Sequence, residues 1–299
     1  MMKIDGVFAG GGVKAFSFVG ALQVMEEKSM EFERVAGTSA GAIVAALIKA
    51  GYTSADLFEI LDTLNIEVFK DERMSWLPFT VAKWLHMYFK LGLYKGDELE
   101  AWLRTALEAK GVSTFADLPK GSIKIVASDL TRGRILVLPD DLPQFGILPE
   151  KFSVARAVRM SCSIPFFFEP VKLYDRRNRG QFSYIVDGGL LSNFPLWLFV
   201  DKKTKKRRRP VIGFKLTPNI NQIPPNEIKN ALGMYRALFE TIINAHDTRY
   251  IEAEEAKDII FIPINQDIKA TNFSISEEEK EELVQLGRQK TTKFLQKWS

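Results

Sequence analysis

The chain has a single cysteine, Cys162, and only two histidines, His86 and His246. One thiol cannot close an internal disulfide, and neither it nor the histidines stand in a metal-ligand spacing. Neither a disulfide framework nor a structural zinc site is therefore expected. No run approaches the roughly 18 apolar residues that a membrane-spanning helix needs. The opening MMKIDGVFAGGG has no secretory h-region. These absences lead to the expectation of a cytoplasmic protein, peripheral to the membrane where it meets one. Internal repeats are lacking too, and the one low-complexity stretch is a basic run.

What is present is an ordinary globular composition, 46% hydrophobic and 26% charged, over 299 residues. That length can bury a large core and suits one α/β domain across residues 1–299. The net charge is only +4, but its excess is concentrated in Lys202, Lys203, Lys205, Lys206, Arg207, Arg208 and Arg209. Such a run can meet anionic lipid headgroups, where each basic residue contributes about 1 kcal/mol. A solvated loop leading into a strand is the alternative. No aromatic residues interleave with the run as a single-stranded nucleic-acid surface requires, so nucleic acid is not an expected partner.

Lys3 to Ala9 is strand-like, Gly10-Gly11-Gly12 breaks it, and Val13 to Lys28 resumes at helical spacing. Residues 33–37 repeat the pattern with a short strand, and Ala40 to Ala50 forms an apolar helix closed by Gly51. Residues 54–110 read as a helical cap inserted into a core of about 4–195. Within it the aromatic stretch 76–91 is either core packing or a greasy lid. Further strands are predicted at Ile123 to Ser128, Arg134 to Leu138, Tyr184 to Val186, Val211 to Leu216 and Ile259 to Ile264. Helices are predicted at Ser153 to Met160, across about 226–256, and in the tail after a capping box at Ser276. The C-terminal strands and helices thus occupy about 210–299, and the tail helix is expected on the sheet. This order specifies an α/β fold with a mainly parallel sheet.

Three segments carry candidate chemistry. In Gly10-Gly11-Gly12-Val13-Lys14, a side-chain-free loop presents backbone N–H groups at a helix start, which suits a developing anion. The loop lacks the Gly-Lys-Ser/Thr ending of a phosphate-binding loop and the spaced glycines of a dinucleotide fingerprint. A turn without catalytic role remains open from the loop alone. Gly37-Thr38-Ser39-Ala40-Gly41 has the G-x-S-x-G spacing of a nucleophile elbow and follows a strand directly, although small residues also serve close helix packing. Asp187 ends a strand before Gly188 and Gly189, where it is either a cleft carboxylate or a turn-forming residue. Ser39, Asp187 and His246 follow the chain order of an α/β-hydrolase triad. However, His246 falls inside a predicted long helix, and the serine follows only the second strand.

The combination GGGVKA, GTSAG and DGG, with SCSIPFFFEPV from Ser161 to Val171, closely resembles the patatin-like phospholipases across roughly residues 4 to 195. The resemblance implies a three-layer α/β/α fold and a lipid acyl hydrolase working through an acyl-serine. It also implies a dyad without histidine, in which Ser39 is the nucleophile and Asp187 the general base. The oxyanion would be held by the amides of Gly10 to Gly12 with Val13, Lys14 reinforcing the loop. Ala15 departs from the family, which often has another glycine there, and leaves the amides in place. No metal or organic cofactor is implied. A silent membrane-docking scaffold and a thioesterase or acyltransferase using the same dyad remain as alternatives, and oligomeric state is not legible.

Overall fold

The computed structural model describes residues 2–63, 91–201, 204, 207–218, 228, 233–234, 237–238, 241–242, 256–264 and 275–298. The chain begins with β1 (Met2–Phe8), α1 (Phe16–Glu27), β2 (Met30–Thr38), α2 (Ala40–Lys49) and α3 (Ser54–Asp62). Next come β3 (Gly92–Tyr94), α4 (Asp97–Glu108), β4 (Ile123–Asp129), β5 (Arg134–Leu138) and α5 (Val154–Ser161). The remaining described elements are β6 (Phe166–Phe168), β7 (Val171–Tyr174), β8 (Phe182–Asp187), β9 (Val211–Pro218), β10 (Ile259–Ile264) and α6 (Glu277–Leu295).

Among the described residues, eight strands form one sheet in the order β10-β9-β1-β2-β4-β8-β7, with β5 also paired to β4. From β10 to β4 the strands are parallel, as expected for strands connected through helices. β5 and β8 run antiparallel to β4, and β7 antiparallel to β8. The fold is therefore mixed α/β with a mainly parallel central sheet.

Period-two alternation along β1 places Phe8 on one face and Val7 on the other. Phe8 stacks on Phe214 at 4.8 Å and meets Phe18 and Phe32 edge-on, in a core shared with α1, α2, α4 and α5. Val7, Ala9, Ala36, Val211 and Ile259 form a smaller cluster on the opposite face, covered by Phe194, Leu196 and Phe199.

The described ends of the expected cap over 54–110 pack into the main core. α3 contributes Leu57 and Leu61 to the main core, and α4 contributes Leu99, Leu103 and Leu107. Gly92 lies in β3, which pairs with β6. Residues 64–90, with Trp76 to Phe89 and His86, lie outside the described residues, as does most of the helix expected over 226–256, including His246. The capping box at Ser276 is present. α6 packs chiefly on α1 instead of directly on the sheet: a Cβ at Gly20 would lie 1.8 Å from the Val284 carbonyl oxygen, so the two backbones touch. β8 extends beyond the expected Tyr184 to Val186, and β6 and β7, for which the sequence gives no clear strand pattern, add pairing in the segment before Asp187.

Candidate active site

β4 brings the three candidate segments together. Its first half pairs with β2, up to Thr38 opposite Val126, and its next residue, Ala127, lies opposite Asp187 at the end of β8. Consecutive residues of one strand therefore place the end of β2, and Ser39 beyond it, beside Asp187. Because β8 is antiparallel, Asp187 arrives from the opposite direction to Ser39. The expectation of a strand-end carboxylate holds, but on an antiparallel strand.

Ser39 is the residue between β2 and α2, with φ 54° and ψ −126°. This is a conformation that a non-glycine residue adopts at a cost of about 1–3 kcal/mol, and such strain collects at functional turns. The flanking glycines allow the turn. A Cβ at Gly37 would lie 2.3 Å from the Gly41 carbonyl oxygen, and one at Gly41 would lie 2.2 Å from that of Phe8. The first turn of α2 therefore presses against the backbones of both β1 and β2.

The Ser39 Oγ donates a hydrogen bond to Asp187 Oδ2 at 2.6 Å. Asp187 Oδ1 accepts the Gly189 N–H at 2.7 Å, and Gly188 is pinned where a Cβ would lie 2.2 Å from the Val126 carbonyl oxygen. Ser39 is half-buried, whereas Asp187 is only 2% exposed. Burial raises the Asp187 carboxyl from 3.8 to about 6, against the opposing pull of its hydrogen bonds from Ser39 and Gly189.

The glycine loop lies against this pair. Gly10 is so close that a Cβ would lie 3.2 Å from Ser39 Cβ and 2.4 Å from Asn193 Oδ1. The Gly10 N–H already donates to the Asn193 carbonyl at 3.2 Å. Gly11 and Gly12 are partly exposed at the head of a one-turn 3-10 helix over Gly12–Ala15. At such a position no intrahelical carbonyl reaches the first amides. Val13 is buried, and Lys14 is half-buried with its carbonyl accepting from Ser17 Oγ at 2.8 Å. Ser39, Asp187 and the loop are thus in one place, and among the described residues the Gly11 and Gly12 amides have no backbone acceptor outside the 3-10 turn.

The basic run is divided. Arg207 pairs with Asp258, Arg209 pairs with Glu33 at 3.7 Å and Asp5 at 4.0 Å, and Arg208 is exposed. Lys202, Lys203, Lys205 and Lys206 lie outside the described residues. Among the described residues, no three His, Cys, Asp or Glu side chains gather as a metal site, and no helix is long and apolar enough to cross a membrane.

A family model described as patatin-like phospholipase matches residues 6–200. The chain belongs to the patatin-like phospholipase family. It is 49% identical to YqhO of Bacillus subtilis (strain 168) over all of both chains. It is 23% identical to the probable lipid hydrolase 463L of Invertebrate iridescent virus 6, over 68% of this chain and 65% of that one. Among solved structures, VipD from Legionella pneumophila matches 99% of this chain and 67% of its own with a TM-score of 0.58 at 17% identity, a likeness of fold.

Beside the patatin-like motifs stand residues that the sequence reading passed over. Thr38 Oγ1 donates to the Ser192 carbonyl at 3.0 Å, so the loop carrying Asp187 also holds the end of β2 and, through Asn193, the glycine loop. Cys162 is buried with its thiol against the Ser39 side chain, and burial together with the Asp187 charge pushes its pKa well up. Ser161 and Ser163 flank it. All three lie in SCSIPFFFEPV, which had marked the family resemblance without any role for its side chains. Their only local signal was a cluster of small residues at the end of a short helix.

Proposed function

We propose that the protein is a lipid acyl hydrolase that opens carboxylic esters of phospholipids or related lipids through an acyl-Ser39 intermediate. The observation that carries this reading is the 2.6 Å hydrogen bond from the Ser39 hydroxyl to the buried Asp187 carboxylate. As Ser39 Oγ attacks the ester carbonyl carbon, its proton passes to Asp187 Oδ2. The carbonyl oxygen becomes an alkoxide facing the Gly11 and Gly12 amides, with Gly10 holding the loop against Asn193. Each such donor contributes about 3–4 kcal/mol to the transition state. Collapse of the intermediate breaks the bond to the leaving oxygen, which takes the proton from Asp187. Water then gives a proton to Asp187 and attacks the acyl carbon. The acid leaves, and the proton returns to Ser39 Oγ. A positioned serine and a base supply the nucleophile without a metal.

The experiment is a lipid panel with mass-spectrometric readout alongside fluorophosphonate labelling. Ser39→Ala should abolish labelling and lower kcat by at least about 10⁴-fold, and Asp187→Asn should lower kcat comparably. His246→Ala should stay within about twofold of the wild type. A wild type that neither labels nor hydrolyses any lipid or soluble ester is instead a scaffold, and a large loss in His246→Ala restores a triad. Peripheral docking on anionic membranes through the lysines of residues 202–206 belongs to the same reading, supported by the local charge excess.

A further inference from the structure

The amide of Ser39 reveals how the turn is held. In the β2–β4 ladder the Val35 N–H donates to the Ser122 carbonyl at 2.8 Å. A parallel ladder repeats every second residue on each strand, so the same series reaches the Ser39 N–H and the Val126 carbonyl two steps later. The strained turn at Ser39 prevents that contact, and a side chain fills the gap. The Ser39 N–H donates to Ser161 Oγ at 2.8 Å, and the Ser161 hydroxyl donates to the Val126 carbonyl at 2.5 Å. Ser161 is fully buried, so no bulk water competes for either bond.

Two residues further on, the same segment holds the other partner. The Asp187 N–H donates to the Ser163 carbonyl at 2.9 Å. Residues 161–163 therefore tie the backbones of both Ser39 and Asp187 to one short piece of chain at the end of α5. Arg159, only 2% exposed, anchors that piece. Its guanidinium donates to Ser163 Oγ at 2.5 Å, the Gly96 carbonyl at 2.8 Å and the Glu169 carbonyl at 3.2 Å, and also to the Lys95 carbonyl. A guanidinium with several fixed acceptors is a rigid brace.

We propose that Ser161 is a positioning residue, whose hydroxyl bridge between the Ser39 amide and the Val126 carbonyl holds the nucleophile at attack distance from substrate and base. The proposal rests on Ser39 and Asp187 forming the working pair. It also takes the Ser39 amide out of the oxyanion site, because its hydrogen is already engaged by Ser161.

The test is Ser161→Ala, assayed with p-nitrophenyl butyrate and with kcat expressed per fluorophosphonate-titrated site, so that any unfolded fraction drops out. Loss of the bridge leaves two buried backbone groups unpaired and lets Ser39 shift, and an ångström of misplacement can cost about 100-fold. The expected result is a fall in kcat of about 10- to 100-fold with KM within about twofold, and a parallel slowing of labelling. A kcat per titrated site equal to that of the wild type, with only Tm lowered, overturns the proposal. Should Ser161→Ala fail to fold, Ser161→Cys keeps a similar volume with weaker hydrogen bonding and reads the same quantity. Wild type labelled at Ser39 but insensitive to Ser161 changes sinks the positioning role alone. Wild type that does not label at Ser39 sinks the underlying pair as well.

Discussion

A carboxylate must remain ionised at the working pH and still be basic enough to draw a proton from serine. Burial of Asp187 moves it toward that balance, from 3.8 to about 6. With Asp187 as base, kcat/KM should fall about tenfold per pH unit below about 6 and level off above it. A flat profile between pH 5 and 8 would remove Asp187 from that role. The same burial has a cost in stability. Between about pH 4 and 6 the native protein keeps a proton that the unfolded chain has already lost, so this group's stabilisation is fully present below about 4 and disappears as pH rises through 6. The displacement from 3.8 to about 6 is worth about 3 kcal/mol. Asp187→Asn, which cannot titrate, should therefore gain stability relative to the wild type between pH 3.5 and pH 8, by up to about 3 kcal/mol in denaturant unfolding. An offset independent of pH would show that the ionised carboxylate is fully compensated. Activity and stability thus pull in opposite directions at one residue.

Among the elements, those legible in the sequence are the ones whose cause is local. The glycine loop after β1, the tight turn before α2 and the capping box before α6 each carry their residues within a few positions of the feature they make. The meeting of Ser39 with Asp187 depends instead on β4 pairing with β2 through one half and β8 through the next. No window along the chain contains that. The role of Ser161 is equally remote, since its partners Ser39 and Val126 come from two other elements. α6 illustrates the same limit: Leu283 and Leu286 mark a buried stripe without naming what buries it. The answer is α1, approached so closely that a Cβ at Gly287 would lie 1.8 Å from the Ser17 carbonyl oxygen. Backbone cannot yield as a side-chain tip can, so Gly287→Ala should force the helices apart and cost about 1–3 kcal/mol. Thermal unfolding checks this: Tm should drop while activity well below Tm is kept. An unchanged Tm would mean that the contact is looser than the backbone positions require.

For the whole molecule, the proposed lipid substrate raises the question of how a chain with a net charge of only +4 would find a membrane. The charge that matters is local. Within residues 202–209 two arginines serve the fold: Arg207 is paired with Asp258, and Arg209 faces Glu33 and Asp5. Pairing cancels their attraction for phosphate headgroups, which leaves the four lysines and exposed Arg208 as the proposed contact. The run should therefore divide under mutation. Replacing Lys202, Lys203, Lys205 and Lys206 together by alanine should lower partitioning onto vesicles rich in phosphatidylglycerol at least tenfold, with Tm unchanged, because each lysine contributes about 1 kcal/mol near an anionic surface. Arg207→Ala should instead lower Tm and leave partitioning within about twofold, since it removes one end of a largely buried pair. Raising salt from 50 to 300 mM should weaken wild-type binding, as it screens charges over shorter distances. Co-sedimentation that ignores both lipid charge and salt would assign the whole run to the fold and leave the lipid surface to be met by apolar contacts alone.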